Sequence, residues 1–379
     1  MAAGAVKTPV ELLRRRLENQ ALSHSAFRSA EAVVSWFGAV QAQDYLGSRW
    51  ALGMRTRDAS ETDVEAAESR RAIVRTWPMR GTLHFVAAPD VRWLTQLLAP
   101  RVLARNAARI QREVGVDAAV IDRCRDVVTR ALSGGRRLER TALYQVLEAR
   151  RIRTSGSRGL HILGWLAMDG TLCLAGRSGK QHTFALLDEW IPATPPRERD
   201  AALAELAARY FSSHGPATTR DFCWWAGITA KDAQLAVDGA GKRLAREVIE
   251  ARVYYCGAGT RRRIRGTATP RVKLLPAYDE YTVGYADRAL LASDAARQNA
   301  MGLLGPAVIA DGIVIGHWKR SLGKDGVQVA ARVLRPLASS ENEALHASAN
   351  AYGRFLGQPV SLEISAPRAN RRTAARPRK

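Results

Sequence analysis

The chain has 379 residues, 46% hydrophobic and 25% charged, enough to bury a sizeable core in two or three subdomains. No stretch approaches the ~20 consecutive apolar residues of a membrane helix. Its 58 Lys and Arg against 36 Asp and Glu leave a net charge of +22, and 50 of those 58 cations are arginine, whose planar fork suits phosphate oxygens.

A nucleic acid is therefore the expected partner. Met1 to Lys7 lack the apolar core and cleavage site of a secretory signal, so a cytoplasmic, nucleoid-associated protein is expected. Cys124, Cys173, Cys223 and Cys256 lie far apart with no C-x-x-C pair, so neither zinc nor a disulfide framework is expected, and no organic cofactor either.

Thr8-Pro9-Val10-Glu11 opens the first predicted helix, with Thr as cap and Pro at the first helical position. A second helix runs through Glu31 to Phe37 and ends near Gly38, just before Val40-Gln41-Ala42-Gln43-Asp44. After a further helix, Ile73 to Trp77 and Thr82 to Val86 flank Pro78 and Gly81 and read as a two-stranded ribbon. Helices followed by a hairpin is the winged-helix order, and it recurs. Helices Glu139 to Arg150 and Ser157 to Met168 precede strands Thr171 to Ala175 and Gln181 to Leu187. After the proline-rich Ile191 to Arg197, helices Arg199 to Ser212, Thr219 to Ala226 and Thr229 to Val237 lead to strand-like stretches Arg252 to Cys256 and Arg271 to Leu275, expected to close a third unit.

Pro306 to Trp318 and Gln328 to Leu334 read as strands of a small C-terminal sheet, and Ser340-Glu341-Asn342-Glu343 reads as a capping box for a helix to Leu356. The tail from Ala366 to Lys379 carries six cations and no acid, and disorder is expected there. The fold class expected is α+β, mostly helical, with winged-helix units over 1–115, 116–190 and 191–290. A sheet and helix follow over 291–365, with a basic tail over 366–379.

There is no P-loop, no dinucleotide-binding glycine pattern, no H-E-x-x-H and no G-x-S-x-G. Arg261, Arg262, Arg263 and Arg265 lie between two strand-like stretches, where a wing would hold them against phosphate. Arg75 and Arg80, and more weakly Arg49, are further candidates for DNA backbone contacts. Of the tryptophans Trp77, Trp165, Trp190, Trp224 and Trp225, most are expected in the core, and the sequence does not say which one would meet DNA.

Four blocks carry a resemblance. They are Val40-Gln41-Ala42-Gln43-Asp44, Arg75-Thr76-Trp77-Pro78-Met79-Arg80-Gly81-Thr82-Leu83-His84, Thr183 to Trp190, and Leu274-Leu275-Pro276-Ala277-Tyr278-Asp279-Glu280-Tyr281. In this order, over nearly the whole folded chain, they resemble the AlkZ-like winged-helix DNA glycosylases. The resemblance implies three tandem winged helices around duplex DNA and hydrolysis of N-glycosidic bonds of N7-alkylated purines, interstrand crosslinks included. That family's catalytic motif is glutamine, apolar residue, then glutamine or aspartate. Gln41-Ala42-Gln43 matches its double-glutamine form, so Asp44 is not the motif's aspartate.

An N7-alkylated purine already carries positive charge and leaves with little protonation, so a strong general acid can be absent. What remains is to place a water under the anomeric carbon and to tolerate an oxocarbenium-like sugar. In an extended segment Gln41 and Gln43 point the same way and can converge on one water. No lysine lies in the motif, which argues against a Schiff-base route. Asp44, His84, Asp279 and Glu280 are expected as supporting residues. A monomeric enzyme acting on double-stranded DNA is the resulting expectation. A non-catalytic winged-helix regulator and a resistance protein that sequesters a drug are its alternatives.

Overall fold

The computed structural model describes residues 8–260, 271–292, 304–323 and 325–366. Helix α1 (Pro9–Asn19) starts where the sequence says it should: the Thr8 hydroxyl accepts the Glu11 N–H and Pro9 sits in the first turn. Ser29 caps α2 (Ala30–Phe37), which ends at Gly38 in a positive-φ conformation. Strand β1 (Val40–Gln41) follows, then α3 (Tyr45–Gly53) capped by Asp44, and α4 (Glu61–Ser69) with a Ser60/Asp63 capping box. The hairpin β2 (Ile73–Met79) and β3 (Thr82–Ala87) turns at Arg80 and Gly81, both in the left-handed region (φ 55° and 73°).

A long helix α5 (Val91–Val114) crosses to a second group: α6 (Ala118–Leu132), β4 (Leu138–Glu139), α7 (Arg140–Glu148), α8 (Arg158–Met168), and the hairpin β5 (Leu172–Ser178) and β6 (Gln181–Leu186). The two hairpins join. Arg75 pairs with Leu174, giving one six-stranded sheet in the order β1-β3-β2-β5-β6-β4. Apolar residues of this sheet divide between two cores. Phe85, Val86 and Cys173 belong to the larger one, and Trp77, Leu83, Leu174 and Phe184 pack with α6, α7 and α8 in the smaller.

After α9 (Leu187–Trp190), the third group comprises α10 (Arg199–His214), α11 (Thr219–Ala226), α12 (Ala230–Ala240), and the hairpin β7 (Leu244–Ile249) and β8 (Arg252–Gly257). Here the sequence reading needs correction. The partner of Arg252–Gly257 is the preceding segment, through a turn at Glu250 and Ala251, both with positive φ. Strand β9 (Val272–Leu275) instead leaves this group and pairs with β10 (Ala307–Ala310). The short helix α13 (Glu280–Val283) lies between them in sequence.

The C-terminal sheet has five strands, β13-β12-β11-β10-β9, where β11 spans Ile313–Leu322, β12 Val327–Val333 and β13 Val360–Ser365. The last of these runs parallel to β12, returned by α14 (Ser339–Leu356). That helix begins at Ala338, whose N–H donates to Glu341, so the expected Ser340 cap is not used. The result is a mixed α+β fold in which sheets are covered by helices. Among the described residues no helix is long and apolar enough to cross a membrane.

Candidate active site

Gln41 ends β1 at an edge of the six-stranded sheet, and Gln43 follows just beyond it; among the described residues β1 pairs with β3 alone. Gln41 stands opposite His84, and the next residue, Ala42, donates its N–H to Leu83 O at 2.7 Å. In an antiparallel ladder that alternation makes Gln41–His84 a pair without ladder bonds between its members, so the Gln41 N–H points off the sheet edge. Glu280 Oε1 takes it at 2.7 Å. One residue on, the strand ends by substitution. The Leu83 N–H bonds to the side-chain amide oxygen of Gln43 (3.2 Å), and the Ala42 carbonyl accepts from Arg75 Nε (3.0 Å).

Both amide oxygens thus have inward donors, because Gln41 Oε1 accepts from Arg80 Nη2 at 3.1 Å. A donor can face only the oxygen end of an amide, so both glutamines have a defined orientation. Gln41 is nearly buried at 9% exposure, whereas Gln43 is exposed.

Arg80 comes from the β2–β3 turn. Besides Gln41, its guanidinium reaches the Trp225 carbonyl and His84 Nε2, the latter at 3.2 Å. His84 Nδ1 lies 2.8 Å from Thr82 O, so Nδ1 carries the proton and Nε2 accepts. Burial, with Arg80 beside it, lowers the His84 pKa to about 3 and keeps the ring neutral. Burial also lowers the Arg80 pKa, countered by Glu280.

Glu280 is 1% exposed and has three donors: the Gln41 N–H, the Trp225 indole N–H (2.8 Å) and the His214 Nε2–H (3.2 Å). Burial alone would raise its pKa. The His214 hydrogen bond and the charge of Arg80 outweigh burial and bring it to about 2, so the carboxylate is ionised.

Arg75 departs from expectation. It is 6% exposed, its Nε is bound to Ala42 O, and its Nη1 donates to His182 Nε2 at 2.9 Å. It therefore braces the glutamine segment from inside and does not present a free fork to phosphate. Burial lowers its pKa to about 10, partly offset by Glu68, and burial with Arg75 lowers His182 to about 4. Beside them the Tyr45 hydroxyl donates to Glu68 (2.9 Å), whose pKa burial raises to about 7. Arg49 is likewise internal, 1% exposed and paired with Glu61 and Glu65.

Asp44 caps α3 through the Gly47 N–H (3.1 Å) and lies 3.6 Å from Arg320. Asp279 accepts a bidentate pair from Arg55 and caps α13. Arg261, Arg262, Arg263 and Arg265 lie outside the described residues. Of the five tryptophans named from sequence, Trp224 is the exposed one (49%). Sequence reasoning missed Arg55 and His214, and read Trp225 only as a core residue, not as the partner of Glu280 and Arg80. His214 and Trp225 belong to a segment far from the glutamines in the chain, and no local pattern marks them. Among the described residues no disulfide joins the four cysteines, and Cys124, Cys173 and Cys256 are buried.

A family model described as DNA glycosylase AlkZ-like matches residues 34–355. An interstrand DNA cross-link repair glycosylase from Streptomyces sahachiroi is 26% identical over 329 residues, covering 80% of this chain and 85% of that protein. Among solved structures, the Streptomyces sahachiroi DNA glycosylase AlkZ superposes with a TM-score of 0.79 at 21% identity. The match covers 96% of this chain and 100% of that one, and it is a likeness of fold.

Proposed function

Because the chain belongs to the AlkZ-like DNA glycosylase family, we propose that it hydrolyses the N-glycosidic bond of N7-alkylated purines in duplex DNA, without strand cleavage. Interstrand crosslinks are among its substrates, in repair or in self-resistance to a genotoxic natural product. The name of the relative from Streptomyces sahachiroi supports the crosslink substrate. The observation that carries the reading is the placement of Gln41 and Gln43 two residues apart at one sheet edge, each amide oxygen oriented by its own donor, Arg80 or the Leu83 N–H.

In the mechanism, the second lone pairs of Gln41 Oε1 and Gln43 Oε1 accept hydrogen bonds from one water below the anomeric carbon; the cationic base leaves neutral with the electron pair of the C–N bond, the water adds to the sugar, and its proton passes to solvent. The amide dipoles stabilise the positive charge that develops on the sugar. Glutamine is a weak base, so only a base that is already a good leaving group departs, and intact purines are left alone. His84, held neutral beside Arg80, is not the proton donor in this scheme. No cofactor takes part.

Three groups of helices, each followed by a hairpin (β2–β3, β5–β6 and β7–β8), support three tandem winged-helix units, with boundaries near 1–115, 116–190 and 191–290. The exception is β9, which belongs with the C-terminal sheet over 291–365. The charge of +22 supports a DNA partner and a nucleoid location for a monomeric enzyme, with Arg261, Arg262, Arg263 and Arg265 on phosphate. The reading is tested by incubating the protein with a duplex carrying a single N7-methylguanine, and with a crosslinked duplex, and scoring free base. Release from either supports it. Tight binding to undamaged palindromic DNA with no release from both lesions would favour a regulator. Drug binding without DNA would favour a sequestering protein.

A further inference from the structure

We infer that Arg80 is a positioning residue for Gln41, and that Glu280 completes the device by holding the main chain of the same glutamine and offsetting the arginine's charge. This rests on the glycosylase reading above and extends it to two residues that need not touch DNA.

Arg80 meets three acceptors in different directions: Gln41 Oε1 and His84 Nε2 through Nη2, and the Trp225 carbonyl through Nη1. Only a planar guanidinium serves all three, since a lysine ammonium offers one nitrogen. The backbone is consistent with a side-chain requirement. Arg80 has φ of 55° in a hairpin turn that favours Asn or Gly, a conformation unfavourable for a residue with a long side chain. Gly227, with φ of +72°, packs beside it: a Cβ there would be in ordinary contact with Arg80 Cγ, at 3.4 Å.

On the other side, Glu280 holds the Gln41 N–H, so the glutamine is gripped by a carboxylate at its main chain and by a guanidinium at its amide oxygen. Trp225 links the two charges, because its carbonyl accepts from Arg80 and its indole N–H donates to Glu280. A reversed Gln41 amide would aim its NH2 at the guanidinium, donor against donor, so the orientation is locked.

The charges explain why the two come together. A lone cation 3.1 Å from the Gln41 amide oxygen would oppose the positive charge developing on the sugar. The ionised Glu280 on the same residue offsets the arginine's charge, so Arg80 orients the amide with a smaller opposing field. Removing Glu280 alone therefore harms the reaction twice, by loosening the Gln41 main chain and by leaving the arginine uncompensated.

The experiment measures single-turnover base release from an N7-methylguanine duplex, DNA affinity and thermal melting for Arg80→Met, Arg80→Lys, Glu280→Gln and the double variant Arg80→Met/Glu280→Gln. The expected result for Arg80→Met is a rate lower by about 10- to 100-fold, with affinity changed less than about threefold. Arg80→Lys is also slow, because it keeps the charge and loses the fork. If Arg80→Met does not fold, Arg80→Lys carries the test. Glu280→Gln is slower than Arg80→Met, and the double variant is faster than Glu280→Gln alone, since deleting the cation removes the uncompensated charge.

Full activity in Arg80→Met, rescue by Arg80→Lys, a parallel loss of affinity and rate, or losses that simply multiply in the double variant would each overturn the proposal. If the wild-type protein releases no base from methylated or crosslinked duplex, the glycosylase reading falls. A crystal structure of Arg80→Met then still decides the positioning: Gln41 turned away upholds it, and an unchanged amide overturns it.

Discussion

Arg55 and Asp279 face each other as a bidentate pair, Nη1 to Oδ2 at 2.8 Å and Nη2 to Oδ1 at 2.7 Å, with side chains 1% and 0% exposed. Arg55 also donates to the carbonyls of Gln20 and Ala51, so the guanidinium ties α1 and α3 to the turn that begins α13. That turn carries Glu280, one residue after Asp279, and hence the partner of the Gln41 main chain.

Asp279→Ala would leave a buried, uncompensated guanidinium, and the expected loss of stability is about 3–5 kcal/mol. Chemical denaturation checks it. A loss below about 1 kcal/mol would mean that water or another acid replaces the carboxylate.

The burial of so many cations is what sequence reading missed. A chain with 50 arginines invites a surface reading for each, yet Arg16, Arg49 and Arg55 are 2%, 1% and 1% exposed. Five donors on a weakly hydrated fork allow arginine to satisfy main-chain carbonyls inside a core, and nothing in the local sequence marks which residue will do so. By contrast, the β2–β3 and β5–β6 hairpins were legible from alternation around Gly and Pro, and the helix start at Thr8 obeyed simple capping chemistry.

Strand β7 was overlooked because its turn is Glu250-Ala251, which lacks the Asn-Gly or Asp-Gly signal, and β13 because its partner β12 is parallel and lies across a helix. The glutamine pair was visible only through the four-block resemblance. Its partner Glu280 sits 239 residues away, a separation that no spacing rule spans.

Arg75→Met removes the donors to Ala42 O and His182 Nε2 from a buried site, and the expected cost is about 1–3 kcal/mol of stability. Its effect on DNA is the sharper check. Since Arg75 is internal, the slope of log affinity against log salt should not change. Arg262→Ala, in the segment proposed to hold phosphate, should lower that slope by about one. Titrations of both variants at several salt concentrations compare them directly.

Glu68 gives a pH-dependent prediction. Burial raises its folded pKa to about 7 from an ordinary 4.5, so between those values the unfolded chain has lost the proton that the folded chain keeps. Stability from this group is complete below about 4.5 and declines as pH rises to 7, by up to about 1.4 kcal/mol per unit. Glu68→Gln still accepts the Tyr45 hydroxyl and does not ionise. Relative to wild type it should melt higher at pH 8 and show no such gain at pH 4.5. An equal shift at both values would assign the effect to packing.

The central claim is that Gln41 and Gln43 act on the water and leave DNA binding to other residues. Its most direct test is the single-turnover rate of N7-methylguanine release by Gln41→Ala and Gln43→Ala, with affinity for the same duplex measured in parallel. The account predicts that each substitution abolishes most base release, by about 100-fold or more, while affinity stays nearly intact. A fall in affinity that accounts for the whole loss of rate, or release at the wild-type rate, would contradict it.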